Sequence, residues 1–237
     1  IQSGVNKVGT GIYNELTNYG RLHEALQENE ALSQELARLT EENNRLQAEQ
    51  FELERLRNLY ELDQEYMQYK KIAARVIAKD SGNWFQVFRI DKGADDGIQE
   101  DMNVMAGGGL VGIVTDVGAN YATVRSIIDD DSNVSGMSLR TGDTCNVSGN
   151  LTLYQDGRLG LDHIKKEADI QEGDKIVTSN ISDIFLPGIL IGYASGLTTD
   201  ANNVTKSGTI IPVADFDNLQ EVLIITDIKD TGEAAAQ

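Results

Sequence analysis

Between Leu16 and Lys71 the apolar residues recur as a narrow stripe. Leu32, Leu39, Leu46 and Leu53 lie seven residues apart, and Leu22, Asn29, Leu36, Asn43 and Gln50 form a second seven-residue series three positions ahead of them. Glu, Gln, Leu, Arg and Ala fill the intervening positions. Proline is absent throughout, and glycine is absent after Gly20. These residues favour helix. A helix packing on its own domain needs a broader apolar face than this, so the pattern is that of a coiled-coil seam, with the leucine series at d and the mixed series at a. Leu at d with Asn at a favours two parallel strands, because Asn side chains can hydrogen-bond to each other across an in-register pair. Leu22, Asn29, Leu32, Leu36, Leu39, Asn43, Leu46 and Leu53 are therefore the predicted interface of a homodimer. Beyond Leu53 the phase is ambiguous, because Leu56, Leu59 and Leu62 compete with Tyr60 and Met67 for the seam, as a stutter would produce.

From Ile72 the period changes. Short runs of β-branched and aromatic residues, broken by Gly, Asn and Asp, include Trp84 to Ile90, Gly109 to Val114, Thr123 to Ile128, Lys175 to Val177, Gly188 to Ala194 and Glu221 to Ile225. About a dozen strands are expected, with no second long helix. The predicted fold is a long N-terminal α-helical coiled coil followed by an all-β region of two small barrel or sandwich modules. A repeat supports two modules. Ile98-Gln99-Glu100-Asp101-Met102-Asn103-Val104, followed by Gly109-Leu110-Val111-Gly112, is echoed by Ile170-Gln171-Glu172-Gly173-Asp174-Lys175-Ile176-Val177, followed by Gly188-Ile189-Leu190-Ile191-Gly192. The expected divisions are a lead at 1–15, the coiled coil at 16–71, β modules at 72–149 and 150–230, and a disordered tail at 231–237.

Composition narrows the partners. A chain of 237 residues, 40% hydrophobic, can bury a substantial core, while a net charge of -18 repels nucleic-acid phosphates and anionic lipid surfaces. No run of about 18 apolar residues marks a membrane span. The single cysteine, Cys145, has strand-like neighbours and is expected to be a buried structural thiol.

Each candidate chemistry fails on particular residues. A Ser-His-Asp triad would have to use His163 beside Asp162, since His23 lies on the predicted coiled coil, and no serine sits in a nucleophile-elbow turn. Asp129, Asp131 and Asn133 have the alternate spacing of a calcium loop, but Val134 stands where that loop needs glycine and Arg140 where it needs glutamate. Gly107-Gly108-Gly109 precedes a strand, so it reads as a hairpin turn and not as a phosphate loop. Five Asn-x-Ser/Thr triplets, starting at Asn133, Asn146, Asn150, Asn180 and Asn203, occur in an Asn-rich sequence and carry little weight. No catalytic, cofactor, metal or small-molecule site is expected. The apolar stretch around Phe185, Leu186 and Pro187 fits an alternating strand poorly; it is the candidate partner surface, with a barrel plug as the alternative.

The architecture and several ordered motifs together resemble one family. Trp84-Phe85, Ile90-Asp91-Lys92-Gly93, Asp96-Gly97-Ile98, Gly109-Leu110-Val111-Gly112 and the run from Pro212 to Leu223 are similar to the pattern of the rod-shape-determining MreC family. The motifs span roughly residues 72 to 228. Leu186-Pro187-Gly188 stands where that family often has paired prolines, and the family's membrane helix is not in this sequence. The resemblance implies a single-pass membrane protein with β domains on the outer side of the cytoplasmic membrane, resembling chymotrypsin-like half-barrels without the active site. It implies a non-catalytic homodimeric scaffold of cell-wall elongation, working with cell-wall synthases and the MreB cytoskeleton to maintain cell shape. A surface adhesin or stalk protein is the rival that coiled coil and β modules alone would permit.

Overall fold

The computed structural model describes residues 2–79, 86–199 and 204–229; of residues 2–22, 24, 25, 64 and 65 only the backbone is described. Trp84, Phe85 and the tail at 231–237 fall outside the described residues. The chain divides into two compact units, residues 1–56 and 57–237.

A single helix, α1, runs Gln2–Glu65. It takes in the stretch expected as a separate lead at 1–15, since Gly4, Gly9 and Gly11 weaken a helix by only about 1 kcal/mol each without terminating it. It also stops short of the expected end at Lys71, because Lys71 opens a strand and pairs with Ile225.

Among the described residues twelve strands follow: β1 (Lys71–Lys79), β2 (Val87–Ile90), β3 (Asn103–Ala106), β4 (Gly109–Val117), β5 (Ala122–Ser126), β6 (Asn133–Ser138), β7 (Thr144–Ser148), β8 (Leu159–Lys165), β9 (Lys175–Thr178), β10 (Leu190–Thr199), β11 (Thr205–Pro212) and β12 (Glu221–Ile225). A one-turn helix, α2 (Leu151–Tyr154), is capped by Asn150, whose side chain accepts from the Leu153 amide. The strands close two six-stranded barrels, in the orders β1-β12-β3-β4-β5-β2 and β10-β11-β8-β7-β6-β9. Their inward side chains form one continuous core, running from Leu62 and Phe88 through Ile176 and Phe216 to Ile225.

The expected module boundary near residue 150 does not hold. β6 and β7, placed in the first module by the sequence reading, belong to the second barrel, and β12 closes the first. The repeat explains the arrangement. Asp101 and Gly173 both take the left-handed conformation, at φ 65° and 83°. The Asp101 and Gly173 amides donate to Val114 O and Ala194 O, and the Val114 and Ala194 amides donate back to Met102 O and Asp174 O. Each repeat then carries the same register shift: Val104 faces Gly112 while Met105 faces Leu110, and Ile176 faces Gly192 while Val177 faces Leu190.

Thus β3, β4 and β5 correspond to β9, β10 and β11. Continuing around each barrel makes β2 and β1 the counterparts of β8 and β7, and β12 the counterpart of β6. The chain is two six-strand repeats, β1–β6 and β7–β12, that have exchanged their sixth strands. Local patterning cannot reveal this, because neither the alternating β6 nor the continuously apolar β12 carries a signal for which barrel it closes.

Gly112 and Gly192 sit where each bulge presses against the next strand. A Cβ on Gly112 would lie 2.1 Å from Arg125 O, and one on Gly192 2.2 Å from Ile211 O. Both obstacles are backbone and cannot rotate away. Gly112→Ala is therefore expected to cost about 3 kcal/mol. With one core and exchanged strands, the loss should be felt in both barrels. Native-state hydrogen exchange checks this: amides of β8 and β11 should lose protection along with those of β4 and β5, and unchanged protection in the second barrel would contradict the shared cooperativity.

Candidate protein-interaction surfaces

On α1 the predicted seam residues lie exposed. Leu32, Leu36 and Leu39 are 63%, 68% and 49% exposed, and Leu46 and Leu53 47% and 50%. Asn29 and Asn43 are exposed as well, while the side chain of Leu22 is outside the described residues. Asn43 Oδ1 accepts from Gln47 Nε2 at 2.8 Å. Flanking the stripe, Arg38 pairs with Glu35 at 2.8 Å and with Glu42 at 3.8 Å, and Arg45 pairs with Glu49 at 3.5 Å. The Arg38 hydrogen bond draws the Glu35 carboxyl below its ordinary pKa. Exposed pairs of this kind contribute little to stability, so they support the helix without determining what covers its leucines.

The last helical turns use a different face. Leu62 and Tyr66 are buried in the barrel core, and Leu59 packs against it. Lys71, whose side chain is 3% exposed, turns its ammonium back onto the helix end. Nζ donates to Asp63 O at 3.0 Å and to Tyr66 O, and pairs with Asp63 Oδ1 at 3.2 Å. A buried cation on the unsatisfied carbonyls of a helix C-terminus is favoured by both hydrogen bonding and the helix dipole. The next residues tie this end to the second barrel: the Leu190 amide donates to Tyr66 Oη at 3.1 Å, and Tyr69 Oη donates to Pro187 O at 2.7 Å. Burial raises the Tyr69 phenol pKa, and Asp227 raises it further.

Asn103, 1% exposed on β3, joins the two barrels. Its Oδ1 accepts from the Leu186 amide at 2.7 Å, and its Nδ2 donates to Ile184 O at 3.1 Å and to Asp101 O at 3.2 Å. The same loop is held from its own barrel, where Thr178 Oγ1 donates to Leu186 O at 2.6 Å and Ser182 Oγ accepts from the Phe185 amide at 3.0 Å.

This corrects the candidate partner surface. Phe185 and Leu186 are 2% and 8% exposed, so their side chains belong to the core and act as the plug. Only Pro187 of the three faces outward. The sequence reading missed Lys71, Tyr66 and Asn103 as junction residues. The available signal was Asn103, a polar side chain within the apolar run Met102 to Ala106.

The remaining candidates are dispersed. His163 is exposed at φ 56°, in a bulge of β8, and among the described residues its ring makes no hydrogen bond. Asp162 instead accepts from Ser148 Oγ at 2.8 Å, so it does not orient the imidazole. His163 borders a shallow hollow of about 190 Å³ with Ser135, Asn146, Ser179 and Cys145. Burial pushes the Cys145 thiol up to about 12, away from nucleophilic use. His23 lies exposed on α1 and bonds to Gln27. Asp129 Oδ1 accepts the Asp131 amide, and Asn133 Oδ1 accepts from Asn146 Nδ2, which makes this segment a self-satisfied turn. Gly107 and Gly108, at φ 57° and 93°, form the two-residue hairpin turn between β3 and β4. Among the described residues no cluster of three potential metal ligands occurs. Arg140 is a structural clamp: Nε and Nη2 each reach Asp174 at 2.9 Å, and Nη1 reaches Asp169 at 3.0 Å.

The family model for the barrel core of the rod shape-determining protein MreC matches residues 76–226. The cell shape-determining protein MreC of Listeria monocytogenes is 29% identical over 221 residues, which is 92% of this chain and 71% of that protein. A solved structure of MreC from the same genus superposes with a TM-score of 0.64 at 27% identity, covering 90% of this chain and 98% of that one. The MreC chain in a solved complex between penicillin-binding protein PBP2 and MreC from Helicobacter pylori has a TM-score of 0.51 at 15% identity, covering 67% of this chain and all of that one, a likeness of fold.

Two measurements test these clamps. Asn103→Leu strands the Leu186 amide and Ile184 carbonyl in the core and is expected to cost about 2 to 3 kcal/mol in denaturant unfolding; a cost near zero would mean that the junction relaxes around the change. Arg140 chiefly, with the Gln171 amide and Ser138 hydroxyl, holds the Asp174 carboxyl below its ordinary 3.8. A depressed carboxyl contributes stability in full above its unfolded pKa and loses it as pH falls through the lower folded value. Acid unfolding of Arg140→Gln should accordingly begin at higher pH than that of the unaltered chain, and coincident acid transitions would count against the clamp.

Proposed function

This chain belongs to the MreC family, and from that premise we propose that it is a homodimeric scaffold outside the cytoplasmic membrane that organises cell-wall elongation and so maintains bacterial cell shape. The observation that carries the reading is the barrel-core match over residues 76–226. The relatives that match most of the chain are named cell shape-determining proteins. Among the described residues no helix is long and apolar enough to cross a membrane, so the membrane anchoring implied by family resemblance is not attributed to α1.

The partner class is a cell-wall synthase of the penicillin-binding type, by analogy with the Helicobacter pylori complex. The MreB cytoskeleton enters only through family resemblance. The adhesin alternative has nothing further in its favour, since its only support was the general architecture. Catalysis is not part of the proposed role: Cys145 is buried with a raised pKa, and Asp162 is engaged by Ser148.

Dimerisation through α1 follows from its leucines. Burying an exposed leucine side chain yields about 1.5 to 3 kcal/mol, and the seven-residue spacing lets a second helix cover all of them at once. Asn29 and Asn43 fix the register at some cost in stability. Light scattering at micromolar concentration should give about twice the 25.9 kDa chain mass. Replacing Leu32, Leu39 and Leu46 together by Ser should return the chain mass and, in cells that depend on the full-length protein, rod shape should be lost. A monomeric unaltered chain, or rod shape retained by a monomeric variant, would overturn the dimeric scaffold.

A further inference from the structure

One strand of the second barrel breaks its alternation where the first barrel keeps it. Leu161 and Ile164 are both fully buried, although residues three apart on a regular strand face opposite sides. The break lies against β11: Leu161 faces Gly208 and Ile164 faces Lys206, so Asp162 and His163 together stand opposite Ser207. This bulge turns both of their side chains to the outer surface, with His163 in the left-handed region at φ 56°. The corresponding pair in the first barrel, β2 with β5, runs from Val87 and Arg125 to Ile90 and Ala122 without a shift. Closing a six-stranded barrel therefore does not require the bulge. A left-handed backbone at a residue that carries a Cβ is a cost, and what it obtains here is the outward imidazole.

That imidazole joins a polar platform. Ser135, Asn146 and Asp162 are successive cross-strand partners on β6, β7 and β8, half-buried on the outer face, and Thr144 lies two residues before Asn146 on the same face. Ser135, Thr144, Asn146 and His163 line the hollow of about 190 Å³, together with Ile181, which is 66% exposed. Asn146 Nδ2 donates to Asn133 Oδ1 at 2.8 Å, which fixes the amide and leaves its Oδ1 as an acceptor. Among the described residues the Ser135 and Thr144 hydroxyls and the His163 ring make no hydrogen bond within the protein.

These groups select a neutral ring rich in hydroxyls. Among the described residues that line the hollow there is no Lys, Arg, Asp or Glu, so neither an anion nor a cation finds a counter-charge there. A peptide finds no strand edge to extend, because β6, β7, β8 and β9 are each paired on both sides. Hydroxyls, an amide oxygen and an imidazole offer closely spaced donors and acceptors, and Ile181 offers an apolar contact. A sugar uses both, through its hydroxyl edge and its C–H face. The hollow is smaller than the roughly 300 to 1,000 Å³ of pockets for drug-sized ligands, so it has room for one ring. We propose that this outer face of β6, β7 and β8 binds one neutral sugar ring, free or as a unit of a glycan chain, with Ser135, Thr144, Asn146 and His163 bonding its hydroxyls. The site goes beyond the scaffold role and stands whether or not α1 pairs.

Nuclear magnetic resonance of the full chain tests this with glucose, N-acetylglucosamine and the tetramer of N-acetylglucosamine, titrated through the millimolar range. The chain has two histidines, so the His163 imidazole reports on the site and His23, on α1, is the internal reference. We expect a saturable shift at His163 and none at His23. Saturation by the tetramer at about tenfold lower concentration than by the single sugars assigns the site to a glycan chain, and saturation at equal concentrations assigns it to a single ring. Ser135→Ala and Asn146→Ala, which leave the core untouched, should each weaken binding by about threefold to tenfold. His163→Gly keeps the bulge, since glycine accepts φ 56° without strain, so the denaturation midpoint should hold or rise while the Asn146 amide no longer responds to sugar. No saturable shift at His163, equal shifts at both histidines, or unchanged binding by these variants overturns the proposal.

Discussion

An ammonium group taken out of water must find partners, and Lys71 finds them on the last carbonyls of α1. Its backbone meanwhile begins β1 and pairs with Ile225 on β12. One residue thus ends the helix, starts the first barrel and aligns the strand that closes it. Tyr66 and Tyr69 extend the same junction to the second barrel through Leu190 and Pro187. Asn103 completes it from β3, so that the buried Tyr66 and Asn103, with the half-buried Tyr69, fix how the barrels meet. Polar groups at such depth specify a single arrangement, because any other leaves them unsatisfied.

The sequence disclosed what is periodic. Seven-residue spacing identified the helix, alternation identified the strands, and the echo of Ile98 to Gly112 in Ile170 to Gly192 marked the equivalent bulged hairpins. It did not disclose which strands close which barrel, since that choice depends on pairing across more than a hundred residues, as between Met105 and Leu223 or Lys71 and Ile225. Nor did it sort Leu59 and Leu62 from Tyr60 and Met67. All four satisfy a helical stripe, and only packing against the barrel separates them. Phe185 and Leu186 were singled out correctly as anomalous for a strand. Their meaning is structural: backbone clamps at Asn103 and Thr178 turn both side chains inward.

The consequence is a division of labour within one short piece of helix. Groups that hold the barrels together are polar and for the most part buried, whereas Tyr60 and Met67 beside them are exposed and largely apolar. A partner that engages the exposed set need not disturb the clamps. Rigid presentation of this kind would suit the proposed scaffold role, since binding free energy is then not spent on ordering its own domains.

The exchanged sixth strands also impose a timetable on a chain delivered from its N-terminus. The second barrel is contiguous from Asn133 to Pro212 and can close as soon as that stretch is available. The first barrel has five of its strands available earlier, yet it must wait for Glu221–Ile225, leaving the edges of β1 and β3 open in the meantime. The last-made barrel is finished first and the first-made one last. A product cut off before residue 221 would keep those two edges bare, ready to recruit strands from its neighbours, so the five residues of β12 separate a discrete fold from an aggregating fragment.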